Sequence, residues 1–226
     1  MLVVLTREAG FNDQVRQWIG GVGDVVEAPL TTTIFHDVED VRREITATAL
    51  AGQFAALAVT SVRARAYVAV AVAALAEGAG VYSVGLATTH MLEEEGVTVA
   101  GVATSRAQDL ATLIDVGPVL HVCARDARPE LSTALAAKGV DVVPVIAYET
   151  VAVSVSDDVA WLLARADVLV IGAPSSWSVA RTYVSSSSWV VVPGATTAAE
   201  VKRDHARVIE VWGPELGNVL TTLDGD

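Results

Sequence analysis

The chain has 226 residues, of which 52% are hydrophobic and 19% charged, with a formal net charge of −12. That is enough apolar material for a sizeable core, and the length allows one or two domains. The acidic balance and the lack of any basic stripe argue against a nucleic-acid partner, which requires Lys and Arg to displace counterions.

The opening MLVVLTREAG has neither a basic segment nor a long apolar stretch before Arg7 and Glu8, so no signal peptide is expected. The longest plain apolar run, Tyr67 to Ala76, stops at Glu77, and that is too short to span a bilayer. Cys123 is the only cysteine, so no internal disulfide can form; a reducing cytoplasm is the expected compartment.

In chain order, LVVLT reads as a strand followed by an Arg-containing turn and a helix. GGVG at 20–23 resembles a dinucleotide loop, but it follows a helix and lacks the spacing of the fingerprint; it reads as a helix C-terminus and turn. GDVVEAPL is the next strand, and a helix is expected over 38–51. LAVTSVRARAYVAV (57–70) reads as strand, small-residue turn and helix, and VYSVGLATTHMLEEEG (81–96) repeats the plan. A helix is expected over 106–115. Residues 119–148 then run strand, helix, strand, with Cys123 in the first strand as core. Helices follow at 156–165 and 213–223, Pro214 standing at a first helical position. VLVIGAPSSWSVARTYV (168–184) and VVVPGATTAAEV (190–201) lie between those two helices.

Three of these phrases occur twice. Residues 2–30 match 119–148, residues 57–70 match 168–184, and residues 81–96 match 190–201, always in the same order and about 110 residues apart. We read an internal duplication of βαβ units. Continuous apolar strands such as Val168 to Ile171, alternating with amphipathic helices, predict parallel, doubly wound sheets covered on both faces.

In such sheets ligands sit beyond the carboxyl ends of the strands. The repeated turns lie there and carry Thr60, Ser61, Thr88, Thr89, Ser175, Ser176, Thr196 and Thr197. Ser and Thr at these places either cap the helices or, with the unpaired N–H groups of the helix starts, bind carboxylate or phosphate. Their recurrence in both halves favours anion binding. No P-loop, GxSxG, paired-carboxylate or Ser/His/Asp pattern is present, and His36, His90, His121 and His205 lack metal-ligand spacing; they read as surface or packed residues. An enzyme built this way must draw most of its reactivity from the substrate.

The order and spacing of LTR, TS at 60–61, VYSVGLATTHMLEEEGV, Arg128-x-x-Leu131 with KGVDV, YET at 148–150, APSSW and GATTAAEV resemble the uroporphyrinogen-III synthase family along almost the whole chain. The resemblance implies two doubly wound parallel-sheet α/β domains of flavodoxin- or Rossmann-like type, joined by a two-stranded connection, with a ligand cleft between them. It implies that residues 1–31 and 149–226 form one domain and 34–146 the other, with crossings near 32–33 and 147–148. It further implies a cofactor-free and metal-free cyclisation of hydroxymethylbilane to uroporphyrinogen III, by a monomer whose partner is this linear tetrapyrrole. Tyr148 is implied as an assisting proton donor, against the alternative of a strand tyrosine chosen for β propensity. Thr60, Ser61, Arg63, Thr88, Thr89, Ser175, Ser176, Thr196 and Thr197 are implied as substrate contacts. Arg7 and Arg128 match family positions near strand ends, or are solvated surface charges. The chain departs from the family pattern at Val62, Ala124, Ala173 and Ala195. A rival function of another class is a non-catalytic two-domain clamp that binds a tetrapyrrole or another anion.

Overall fold

The computed structural model describes residues 1–49, 53–104 and 106–225. The chain forms two compact units, Met1–Thr33 with the chain from Val151 onward, and Ile34–Thr150.

The discontinuous unit carries β1 (Leu2–Leu5), α1 (Asp13–Ile19) and β2 (Asp24–Glu27), and after the second crossing α6 (Asp157–Arg165), β9 (Val168–Val170), α7 (Pro174–Ala180), β10 (Trp189–Val192), α8 (Ala195–Val201), β11 (Val208–Glu210) and α9 (Leu216–Asp224). Its five strands run in the order β11-β10-β9-β1-β2, all parallel. Strand alternation sorts the core into two faces. Val4, Leu169, Val190 and Val192 meet Leu163, Trp177, Ala180, Ala198 and Val201 of α6, α7 and α8. Val3, Leu5, Val168, Val170 and Val191 meet Val15 and Ile19 of α1 and Leu216 and Leu220 of α9. Both faces are therefore sealed by helices, which is why these strands read as unbroken apolar runs.

The central unit contains α2 (Val38–Ala49), β4 (Phe54–Val59), α3 (Val68–Ala73), β5 (Leu75–Val84), α4 (Leu86–Glu94), β6 (Gly101–Ala103), β7 (Val119–Ala124) and α5 (Glu130–Ala136). Two further strands, β3 (Thr31–Phe35) and β8 (Val142–Ala152), carry the chain from one unit to the other. The six-stranded sheet has the order β3-β8-β7-β4-β5-β6. Its β8–β7, β7–β4, β4–β5 and β5–β6 pairs are parallel, whereas the bonds Val153 N–H to Leu30 O and His36 N–H to Ala147 O run in opposite senses along β3 and β8, so this pair is antiparallel. Leu57, Val59, Leu120 and Val122 pack on Val41, Ile45, Tyr67 and Leu92 on one face. Ala56, Ala58 and Val119 pack on Leu110, Ile114, Leu131 and Leu135 on the other.

The duplication is visible in strand order. Reading the first sheet as β11-β10-β9-β1-β2 and the second in reverse as β6-β5-β4-β7-β8, sequence-equivalent strands occupy equivalent places. The opening βαβ of each copy is exchanged: β1 and β2 join the second copy's strands, while β7 and β8 join the first copy's.

The helix expected over 38–51 is α2, described over Val38–Ala49; residues 50 and 51 lie outside the described residues. Three local expectations change. The helix expected over 106–115 is a single 3₁₀ stretch, Ala107–Thr112, closed by Leu113 N–H to Leu110 O. Asp115, Gly117 and Pro118 come too soon after it for a longer helix to be favourable. After β4 the chain first makes a 3₁₀ helix, Val62–Tyr67, and β5 begins at Leu75, so the apolar run ending at Ala76 is helical over Val68–Ala73 and its end is strand. Pro214 lies in the turn before α9, because Gly213 at φ 125° and the bond from Leu216 N–H to Gly213 O delay the helix. GGVG does end a helix: Gly20 closes α1 at φ 65°.

Candidate active site

In the central unit β8, β7, β4 and β5 are consecutive, and their parallel course brings the turns that follow β7, β4 and β5, together with the end of β8, to one sheet edge. Thr60 and Ser61 leave β4 there. Ser61 is extended and accepts a hydrogen bond from Arg63 N–H at 3.2 Å, capping the 3₁₀ helix. Thr60 Oγ1 lies 3.2 Å from His121 Nε2. A shift of register between Cys123 and Ala124 sets Tyr148 opposite Ala124.

Tyr148 is buried, only 4% exposed. Burial pushes its phenol pKa up, and Cys123 and Asp126 act in the same direction; the neighbouring Ser61 hydroxyl and the Arg63 guanidinium pull the other way. The net shift is upward, so the phenol is a proton donor at neutral pH.

Gly85, at φ 75°, turns the chain from β5 into α4 in a conformation that side-chain-bearing residues avoid. The first intrahelical bond is Thr89 N–H to Gly85 O, so the N–H groups of Leu86, Ala87 and Thr88 precede the helical ladder. Thr89 donates its hydroxyl to Gly85 O at 3.1 Å and lies 2.7 Å from Ser83 Oγ. Its hydroxyl is consumed inside the turn, which makes Thr89 a holder of the turn. Thr88 is also buried.

The discontinuous unit has its own edge. Thr6 donates to Val170 O at 2.8 Å, tying β1 to β9 where Arg7 emerges. The Arg7 guanidinium lies 5.6 Å from the Trp212 ring centre, and Trp212 meets Trp18 edge-on at 5.7 Å. Gly172 makes room for this arginine, since a Cβ there would stand 2.9 Å from Arg7 Cγ. Ser175 is exposed and Ser176 buried in the first turn of α7; Thr196 is exposed and Thr197 buried in the first turn of α8. Ala173 precedes α7 in an extended conformation with no side-chain cap, the consequence of Ala where Ser would bond. Arg128 is exposed ahead of α5.

The structure thus gathers Ser61, Arg63 and Tyr148 closely. It places Thr60 and Thr88 on the same sheet edge, and Arg7, Ser175, Ser176, Thr196 and Thr197 on the edge of the other sheet. Sequence reasoning missed three neighbours of these residues: His121 beside Thr60, Asp126 beside Tyr148, and Phe35, whose ring lies 6.1 Å from that of Tyr148. His121 had a signal. A polar ring inside the apolar run VLHVCA needs a buried partner.

Among the described residues no group of three or more His, Cys, Asp and Glu side chains is placed to hold a metal ion, and no helix is long and apolar enough to cross a membrane.

No curated protein sequence is significantly similar to the chain. Solved structures are. A mutant uroporphyrinogen III synthase from the extremely thermophilic bacterium Thermus thermophilus superposes with a TM-score of 0.64 at 17% identity, covering 100% of this chain and 98% of that one. Uroporphyrinogen-III synthetase from Helicobacter pylori superposes with a TM-score of 0.65 at 16% identity, covering 97% of each. At such identities these likenesses speak for the fold. The family is carried by the sequence profile described as uroporphyrinogen-III synthase HemD, which matches residues 20–211. With that match over most of its length, the chain belongs to the uroporphyrinogen-III synthase family, cyclising lyases of tetrapyrrole biosynthesis.

Proposed function

We propose that this chain closes hydroxymethylbilane to uroporphyrinogen III, with loss of water and inversion of the last pyrrole ring, in the cytoplasm as a monomer without a cofactor. The observation that carries the reading is the pairing of Tyr148, a buried phenol kept protonated, with Ser61 and Arg63 at a strand edge where neutral hydroxyl donors recur.

The substrate bears eight carboxylates and a hydroxymethyl group. Tyr148 donates a proton to the departing hydroxyl, which leaves as water and generates an electrophilic azafulvene. The substituted carbon of the last ring then attacks to give a spiro intermediate, which fragments and recloses with that ring turned over. A proton lost from carbon restores the aromatic pyrrole, so the net change is loss of one water. The protein's main task is to hold the chain curled, and orientation of this kind is worth many kcal/mol. Thr60, Ser61, Arg63 and Thr88 hold carboxylates on the central unit. Ser175, Ser176, Thr196, Thr197 and Arg7 do so on the discontinuous one, and Arg128 contributes charge. Thr89 acts by holding the turn, since both its N–H and its hydroxyl bond to Gly85 O, and the N–H groups left for a carboxylate are those of Leu86, Ala87 and Thr88.

The net charge of −12 does not oppose this reading. Surface charges beyond about 8 Å are largely screened at physiological ionic strength. Short hydrogen bonds to a carboxylate act locally at about 1.5–3 kcal/mol each.

Hydroxymethylbilane closes spontaneously to the symmetric type I ring, so consumption alone is uninformative. A tenfold bias between two closures needs about 1.4 kcal/mol of differential stabilisation. Purified protein with chelator present is expected to give mainly the type III isomer, read by oxidising the products to porphyrins and separating isomers by chromatography. An isomer mixture equal to the enzyme-free control, from folded protein that still binds the ligand, identifies a non-catalytic binder instead.

A further inference from the structure

His121 is a polar ring in the middle of β7, 5% exposed, on the sheet face of Ala56, Ala58 and Val119 that Leu131 and Leu135 of α5 cover. Its register neighbours are Ala58 in β4 and Pro144 in β8. Among the described residues its side chain has one hydrogen-bond partner, Thr60 Oγ1 at 3.2 Å. An imidazole placed this way costs free energy unless it is bonded, so the contact carries the reason for its presence.

Burial lowers the pKa of His121 to about 4, so the ring is neutral at physiological pH and has a single N–H. Two tautomers are available, and they have opposite effects on Thr60. With the proton on Nδ1, Nε2 accepts the Thr60 hydroxyl hydrogen, and Thr60 offers only lone pairs outward. With the proton on Nε2, the ring donates to Thr60 Oγ1 and frees the hydroxyl hydrogen for an external acceptor. Only the second arrangement suits a carboxylate.

We propose that His121 is a positioning residue: its Nε2–H donates to Thr60 Oγ1 and turns the Thr60 hydroxyl into a directed donor for a substrate carboxylate. The inference rests on the reading of Thr60 as a substrate contact. It adds that the specificity of this turn for an anion is set from within the sheet, one strand away.

The test is a double-mutant cycle on the full chain, titrated anaerobically with uroporphyrinogen III kept reduced, with folding of each variant followed by circular dichroism. Thr60→Val and His121→Asn, whose amide falls short of Thr60, should each weaken binding about tenfold. The double variant should be no weaker than either single one, because both remove the same bond. His121→Gln carries an amide N–H at the Nε2 position and should bind within about threefold of the unsubstituted protein. A ring chosen only to fill the strand would not separate Asn from Gln in this way. If His121→Asn does not fold, His121→Phe, which keeps the volume and removes the donor, takes its place in the cycle. Unchanged affinity in folded His121→Asn, or a double variant weaker by the product of the single effects, overturns the inference and leaves Thr60 as a contact. Unchanged affinity in Thr60→Val removes Thr60 from the site and overturns both.

Discussion

The ring of Phe35, on the edge strand β3, stands 6.1 Å from the ring of Tyr148 and tilted by 45° to it. Phe35 is half exposed and Tyr148 buried, so the phenylalanine screens the tyrosine from solvent on that side. This is one source of the desolvation that raises the phenol pKa.

Tyr148→Phe is therefore expected to keep the packing and lose the proton donor. The rate of type III formation should fall about ten- to a hundredfold, at the low end for a general acid. Because burial raises the phenol above its ordinary value of 10.0, its deprotonation should not limit the unsubstituted protein below pH 10. Steady-state rates from pH 7 to 10.5 check both statements. A Phe variant of full activity and unchanged profile would leave Tyr148 as a strand residue.

Thr88→Ala and Thr197→Ala probe the duplicated Ala-Thr-Thr turns. With many contacts sharing the carboxylates, each should cost only about 1–2 kcal/mol, near tenfold in affinity. The double variant should show roughly the product of the two effects, since the turns belong to separate sheets. Titration with the same reduced product measures it, and a double variant with unaltered affinity would remove these turns from the site. Thr89→Ala should behave differently. Its hydroxyl bonds to Gly85 O, so thermal stability should fall along with affinity.

β7 buries two titratable groups that limit stability from opposite sides. The folded pKa of His121 is about 4 against 6.5 in the unfolded chain. Between those values the unfolded chain binds a proton that the folded one refuses, so stability is complete above pH 6.5 and is lost as pH falls toward 4, by roughly 3 kcal/mol. Burial, aided by Glu44, raises Cys123 to about 11 from 9.0, so the unfolded chain loses its proton first and stability declines from pH 9 upward. Urea unfolding across pH 4 to 10.5 should show both limbs. His121→Gln should flatten the acid limb alone and Cys123→Ala the alkaline limb alone; limbs that persist in those variants would place the cause elsewhere.

The alternation of strand and helix was legible because each sheet is covered on both faces, which makes strands such as β9 and β10 apolar throughout. The donor turns were legible through their repetition. Other features were not, for physical reasons. The 3₁₀ stretch Ala107–Thr112 has the composition of a helix and is cut short by Gly117 and Pro118 beyond it. Pro214 satisfies the rule for a helix start, yet Gly213 sets the local path. Thr88 and Thr89 are neighbours of the same residue type, and only the positions of Ser83 and the Gly85 carbonyl reveal which hydroxyl is spent. His121 faces Thr60 across two strands that lie 61 residues apart, a separation that no local pattern encodes.

The exchange of β1 and β2 between the copies has a consequence for biosynthesis. The central unit occupies one continuous stretch, Ile34–Thr150, and its sheet is complete in sequence once β8 has left the ribosome. β1 and β2 are made before the central unit, yet β1 must wait for β9, whose Val168 pairs with its Val3, before its second edge is filled. Strands made before the central unit are thus buried after it. During that interval an apolar two-strand ribbon is exposed, a state prone to association with other chains. Folding on the ribosome should accordingly proceed from the middle of the chain outward, with its two ends closing together.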